Sequence, residues 1–138
     1  MKQNEIILID DDEEDCELFK DVCTELNIKN EIRIFNSSEK AFDYLISMTT
    51  QPFFIVCDVN MPVINGLELR EKLNENNQTR LKAIPFLFWS TSGGEALVNK
   101  SFFLNIQGFF KKPDSINELK KIITAIMFYW NYSHHPFN

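Results

Sequence analysis

Apolar residues along this chain follow two alternating spacings. Short apolar runs at 5–10, 31–35, 53–57, 85–89 and 108–111 suit strands. Segments 12–26, 38–48, 66–76, 95–104 and 115–130 instead repeat apolar residues every three or four positions, as one face of a helix requires. The pattern predicts five βα units. The runs at 6–9, 53–57 and 86–89 are apolar on both alternating faces, which fits the middle strands of a parallel sheet covered by helices on each side. The fold class is therefore α/β, a doubly wound five-stranded parallel sheet. Local signals place the boundaries. Asp12 can cap the first helix, followed by Glu13, Glu14 and Asp15 where backbone N–H groups are unpaired. Ser115 and Glu118 have capping-box spacing at the last helix, Asn65-Gly66 marks a turn, and the polar stretch 75–80 reads as a loop.

Composition narrows the function classes. The chain has 138 residues, 44% apolar and 25% charged, enough for one hydrophobic core and short for two. A net charge of -6 argues against direct DNA binding, which needs a basic face to displace counterions from phosphates. No basic-then-apolar leader opens the sequence, and no apolar stretch approaches the roughly 18–20 residues that span a bilayer, so a cytoplasmic protein without membrane contact is expected. Cys16, Cys23 and Cys57 are odd in number, lack ligand spacing and sit inside periodic segments, as reduced core thiols would.

The chemistry lies at predicted strand ends. In an open α/β sheet, ligands bind at the carboxyl ends of strands where the strand order reverses. Asp10 and Asp11 end the first strand, Asp58 the third and Ser90 the fourth, and Lys112 follows the fifth. Acids 12–15 read as a solvated helix start. Asp58 differs, because it directly follows the buried run "FFIVC" and has no capping duty. Should the first and third strands be neighbours, three carboxylates converge, and charges about 4 Å apart repel by roughly 4 kcal/mol at an effective dielectric near 20. Such a cluster calls for a cation. Carboxylates at a shallow cleft suit Mg²⁺, which would make Asp58 usable as a nucleophile toward a phosphoryl group. Ser90 and Lys112 could then hold the oxygens of phosphorylated Asp58. Lys111, next in the strand alternation, should stay solvated.

The stretches "ILIDDDEED", "CDVNMPVINGLEL", "PFLFWSTS" and "GFFKKP" together resemble the receiver domain of two-component response regulators, in that family's order and over nearly the whole chain. The resemblance implies the flavodoxin-like strand order 2-1-3-4-5, with Asp58 at the switch point as phosphoacceptor. It further implies Mg²⁺, or Mn²⁺ in its place, held by Asp10, Asp11, Asp58 and the backbone carbonyl of Asn60. Ser90 would be the switch hydroxyl, Lys112 the phosphate ion pair and Phe109 an aromatic that rotates inward, while Met61-Pro62 and Gly66 shape the loop closing the site. The phosphodonor would be a histidine kinase or a histidine phosphotransfer protein, and the output an unknown downstream protein. Residues 1–131 would form the receiver and 132–138 a tail, leaving too little chain for an output domain. Such a protein assists its own phosphorylation without being a separate enzyme.

Departures from the family pattern leave alternatives open. The triple Asp10-Asp11-Asp12 allows two registers of the acid pair. Thr91 follows the switch hydroxyl where a smaller residue is common, and Phe109 lacks a phenolic hydroxyl, so it is either a switch or a fixed core aromatic. A haloacid-dehalogenase-type phosphatase would show a D-x-D pattern on the first strand, and a flavin carrier a glycine- and hydroxyl-rich phosphate loop; neither is present. The remaining rival is a pseudo-receiver that binds proteins without phosphate. In the last helix Leu119, Ile122, Ile123, Ile126 and Trp130 recur at core spacing, while Phe128, Tyr129 and Tyr132 fall on another face. That face suggests helices four and five as an output surface or as a homodimer contact. His134-His135 reads as solvated tail.

Overall fold

The computed structural model describes residues 4–136. Five strands, β1 (Ile6–Ile9), β2 (Ile32–Phe35), β3 (Phe54–Asp58), β4 (Phe86–Ser90) and β5 (Gly108–Lys111), alternate with α1 (Glu13–Glu25), α2 (Ser38–Ser47), α3 (Gly66–Glu75), α4 (Glu95–Phe102) and α5 (Ile116–Tyr132). All strand pairings are parallel and the order is β2-β1-β3-β4-β5. The chain order reverses between β1 and β3, which are hydrogen-bonded neighbours. The acids ending them are thereby brought to one spot.

Side-chain alternation divides the core in two. Ile7, Ile9, Ile55, Cys57, Phe86 and Phe88 point to one face, where Ala41 and Leu45 of α2 and Leu69 and Leu73 of α3 cover them. Ile6, Leu8, Phe54, Val56, Leu87 and Trp89 point to the other, against Phe19 and Val22 of α1 and Leu119, Ile123 and Ile126 of α5. Strands β1, β3 and β4 are buried along their whole length. The outer strands β2 and β5 are only partly buried, as their mixed sequences IRIF and GFFK anticipate. All three cysteines are buried and unpaired.

Four local expectations change. The turn expected at Asn65-Gly66 also starts α3: Asn65 is its N-cap, in a reciprocal capping box with Glu68. At α5 only half of the expected box forms: Ser115 Oγ accepts the Glu118 N–H, while the Glu118 carboxylate turns to Lys121. The stretch taken as loop through residue 80 ends in a 3₁₀ turn, Thr79–Leu81, anchored by buried Leu81. The tail expected from residue 132 begins later, because α5 continues to Tyr132, and while His134 is exposed as expected, His135 is half-buried. Its ring stacks on Phe53 with centroids 4.6 Å apart, and its Nε2 lies 3.0 Å from the Phe53 carbonyl. Residues 1–3 of the expected domain and 137–138 of the expected tail lie outside the described residues.

The loop from β3 to α3 frames the site. Gly66 donates its N–H to the Val59 carbonyl at 2.9 Å, and a Cβ there would stand 2.6 Å from the Asp58 carbonyl oxygen. Only glycine permits this approach. Between them the Ile64 N–H reaches back to the Pro62 carbonyl, placing Val63 at φ 68 with its side chain 82% exposed. A β-branched residue in this region is strained by roughly 1–2 kcal/mol. Val63→Gly is therefore expected to stabilise the protein by about 1 kcal/mol after the entropy cost of glycine; urea unfolding midpoints provide the check.

Candidate functional site: an acidic cluster with a lysine

Asp10 follows β1 directly and is fully buried. Its Oδ1 accepts the Asp12 N–H at 2.9 Å and its carbonyl accepts from Cys16 Sγ, so the first turn of α1 fixes its orientation. Asp58, the last residue of β3, is 6% exposed, and its Oδ1 accepts the Asn60 N–H at 3.3 Å. Carboxylate oxygens of Asp10, Asp11 and Asp58 all lie within 4.8 Å of one another. Asp12 instead caps α1 by accepting the Asp15 N–H. Asp10 and Asp11, rather than Asp12, therefore stand with Asp58.

Lys112 enters from the residue after β5, its backbone N–H bonded to the Ser90 carbonyl at 2.8 Å. Its Nζ stands 2.8 Å from Asp10 Oδ2, 2.8 Å from Asp15 Oδ2 and 3.5 Å from Asp58 Oδ2, and 5.2 Å from the centre of the Trp89 ring. Ser90 is fully buried; its Oγ accepts the Ser92 N–H at 3.1 Å and faces the Asn60 amide at 3.4 Å. Lys111 is exposed, as expected from alternation. Phe109 is half-buried, with its ring edge-on to Phe88 at 6.3 Å on the α2–α3 side of the sheet. Asp10, Asp11, Asp58, Ser90 and Lys112 thus gather at one pole, while Phe109 lies further back along β5, the strand that leads into Lys112. Thr91 is exposed at the rim.

Burial dominates the electrostatics. It pushes the Asp58 carboxyl up to about 6, with the neighbouring Asp10 charge adding to the rise and Lys112 opposing it. Asp10 is likewise raised by burial, partly offset by Lys112 and the Asp12 N–H. Burial alone would depress the Lys112 ammonium, but hydrogen bonds to Asp10 and Asp15 and the charges of Asp10 and Asp58 outweigh it and hold the group above its usual range.

Asp15 contributes as well. The sequence suggests a solvated helix start there, yet its carboxylate is one of two that hold Lys112 at 2.8 Å. A usable signal existed in its position: it is the third residue of α1, and helical side chains lean toward the N-terminus, here toward the strand ends.

The donor set fits a hard divalent cation. It consists of carboxylate oxygens only, all within 4.8 Å of one another, and two of the three acids, Asp10 and Asp58, are buried. Lys112 Nζ, 2.8 Å from Asp10 Oδ2, offsets only part of that negative charge.

A parallel five-stranded sheet in this order, with acids at its reversal point and a lysine after its edge strand, defines the receiver class of α/β proteins. The sequence matches the response regulator receiver domain over residues 6–124. The chain therefore belongs to that family, the CheY-like module of two-component systems. It is 26% identical over 130 residues to response regulator Rcp1 of Synechocystis sp., covering 91% of this chain and 87% of that protein. A probable chemotaxis protein CheY of Rhizobium etli is 27% identical over 122 residues, covering 88% and 90% respectively. Among solved structures, the Mn²⁺-bound form of Rcp1 superposes with TM-score 0.83 at 25% identity, over 97% of this chain and 99% of that one. The phosphorylated cyanobacterial phytochrome response regulator RcpA gives TM-score 0.86 over the same shares, and at 23% identity supports the fold alone. Among the described residues no helix is long and apolar enough to cross a membrane.

Proposed function

We propose that this receiver accepts a phosphoryl group on Asp58 from the phosphohistidine of a histidine kinase or phosphotransfer protein. A carboxylate oxygen of Asp58 attacks phosphorus, the P–N bond breaks, and the imidazole leaves with the bonding pair, taking up a proton. The observation that carries this reading is the convergence of Asp10, Asp11 and Asp58 beside Lys112. Asp10, Asp11, Asp58 and the Asn60 carbonyl would hold Mg²⁺, with Mn²⁺ as a substitute. The ion, when bound, neutralises charge on the phosphoryl oxygens. Lys112 supplies a buried cation 3.5 Å from the acceptor, and Ser90 offers a hydroxyl held in place by the Ser92 N–H and the Asn60 amide.

The readout would pass through α4, β5 and α5. Phe109 belongs to β5 and packs on Phe88 of β4, and Phe102, Phe103, Phe128, Tyr129 and Tyr132 are exposed on or at the ends of α4 and α5, available to a downstream protein or a second copy. Incubation with acetyl phosphate and Mg²⁺ should add about 80 Da, mapped to Asp58, and chelation should prevent it. If mass spectrometry finds the chain unmodified at any metal concentration, the acceptor assignment fails and a phosphate-independent binding module takes its place.

A further inference from the structure

The position of Lys112 raises a problem for the proposed reaction. A divalent ion entering among Asp10, Asp11 and Asp58 takes over two of the three carboxylates that hold the ammonium, and repels it. Asp15 is the third. It lies outside the cluster that can share one ion, at the first turn of α1, with its side chain 33% exposed against 0% for Asp10 and 8% for Asp58. An acid in that turn could serve only the helix end. Instead its carboxylate reaches across to a lysine 97 residues away.

We infer that Asp15 is a positioning residue that retains the Lys112 ammonium at the rim when a divalent cation enters, keeping it clear of the metal ligands yet within reach of the phosphoryl group. This inference rests on the metal-dependent reading above and adds a division of labour among the acids: three for the metal, one for the lysine. Without Asp15, the ammonium has only Asp10 and Asp58 to pair with, and the metal must compete for them. Asp15 acts through Lys112 and touches neither phosphorus nor metal.

The test uses Mg²⁺ alone, titrated into the intact chain and followed by Trp89 emission. Trp89 is suited to this because its ring is 5.2 Å from Lys112 Nζ; Trp130→Phe removes the other tryptophan. Asp15→Asn should weaken Mg²⁺ binding about five-fold, and Asp15→Glu should recover most of the loss. Glu14→Gln, which removes one exposed charge from the same turn, should stay within about two-fold of the parent. With Lys112→Ala in the background, Asp15→Asn should lose its specific effect and match Glu14→Gln, because no ammonium remains to be held. The same five-fold loss in that background, or equal effects of Asp15→Asn and Glu14→Gln in the parent, overturns the inference and leaves Asp15 as general negative charge. A parent protein that shows no Mg²⁺ response overturns the metal reading itself, a separate result visible before any Asp15 variant is compared.

Discussion

Asp58→Asn should abolish phosphoryl acceptance and, in metal-free buffer at pH 7, make the protein more stable. The two effects have one origin. The folded protein raises the Asp58 carboxyl from its ordinary 3.8 to about 6, chiefly by burial and then by the charge of Asp10. Between these values the folded chain keeps a proton that the unfolded chain has released, so this group's stabilising contribution is complete below about 3.8 and is lost as pH rises through about 6. At pH 7 the ionised group is a net cost of about 1–2 kcal/mol after screening, and the amide removes it. The expected gain in thermal midpoint is about 3–6 °C at pH 7, shrinking toward zero by about pH 4. Mg²⁺ should reverse the comparison, because a ligand that binds the folded state stabilises it by mass action and wild type has the fuller set of ligands. Melting curves at three pH values with and without Mg²⁺ would show it. A variant less stable than wild type in metal-free buffer at pH 7 would mean that Lys112 already compensates the cluster.

Arg70→Ala should be the most damaging single change away from the site, costing about 3–5 kcal/mol. Arg70 is 1% exposed with its guanidinium 5.1 Å from the centre of the Phe86 ring. It donates Nε to the Leu104 carbonyl at 3.1 Å, and Nη2 to the Asn105 and Lys82 carbonyls at 2.8 and 3.2 Å. Its hydrogen bonds all go to backbone oxygens, and burial lowers its ionisation to about 10. One α3 side chain thus ties together the turn after α4 and the approach to β4. Alanine would leave a cavity and remove one donor from each of three carbonyls; Leu104 and Asn105 would keep Asn74 and Gln107, while Lys82 would lose its partner. Arg70→Lys should lose more than half as much, since a single ammonium cannot span the three acceptors of a planar fork. Denaturant midpoints for the two variants test this; a loss below about 1 kcal/mol for alanine would show that water replaces the guanidinium without cost.

These two residues mark the range of what could be read without coordinates. Asp58 was visible because a carboxylate at the end of an all-apolar strand contradicts its surroundings, and the unbroken runs of β1, β3 and β4 located the middle of the sheet. Arg70 was invisible. Within "LELREKLN" it looks no different from Glu71 or Lys72, and its burial depends on how α3 meets the turn after α4, a tertiary fact. Asp15 was hidden for a related reason, since helix-start acids are common and only the placement of Lys112 gives this one a partner. His135 was unreadable because its neighbour Phe53 lies 82 residues away in sequence. Local patterns specified the elements; the side chains that join elements required the packed chain.

The sheet order has a mechanical consequence. Lys112 follows β5, the strand at the rim of the sheet, and is tied back to β4 by its backbone N–H and the Ser90 carbonyl. Peeling that outermost strand from β4 would withdraw the site's cation and reshape the α4–α5 side in the same movement. On the proposed reading, acceptance and readout would share this one strand, and a partner that clamps it is expected to change the rate of phosphoryl acceptance at Asp58 without touching that residue.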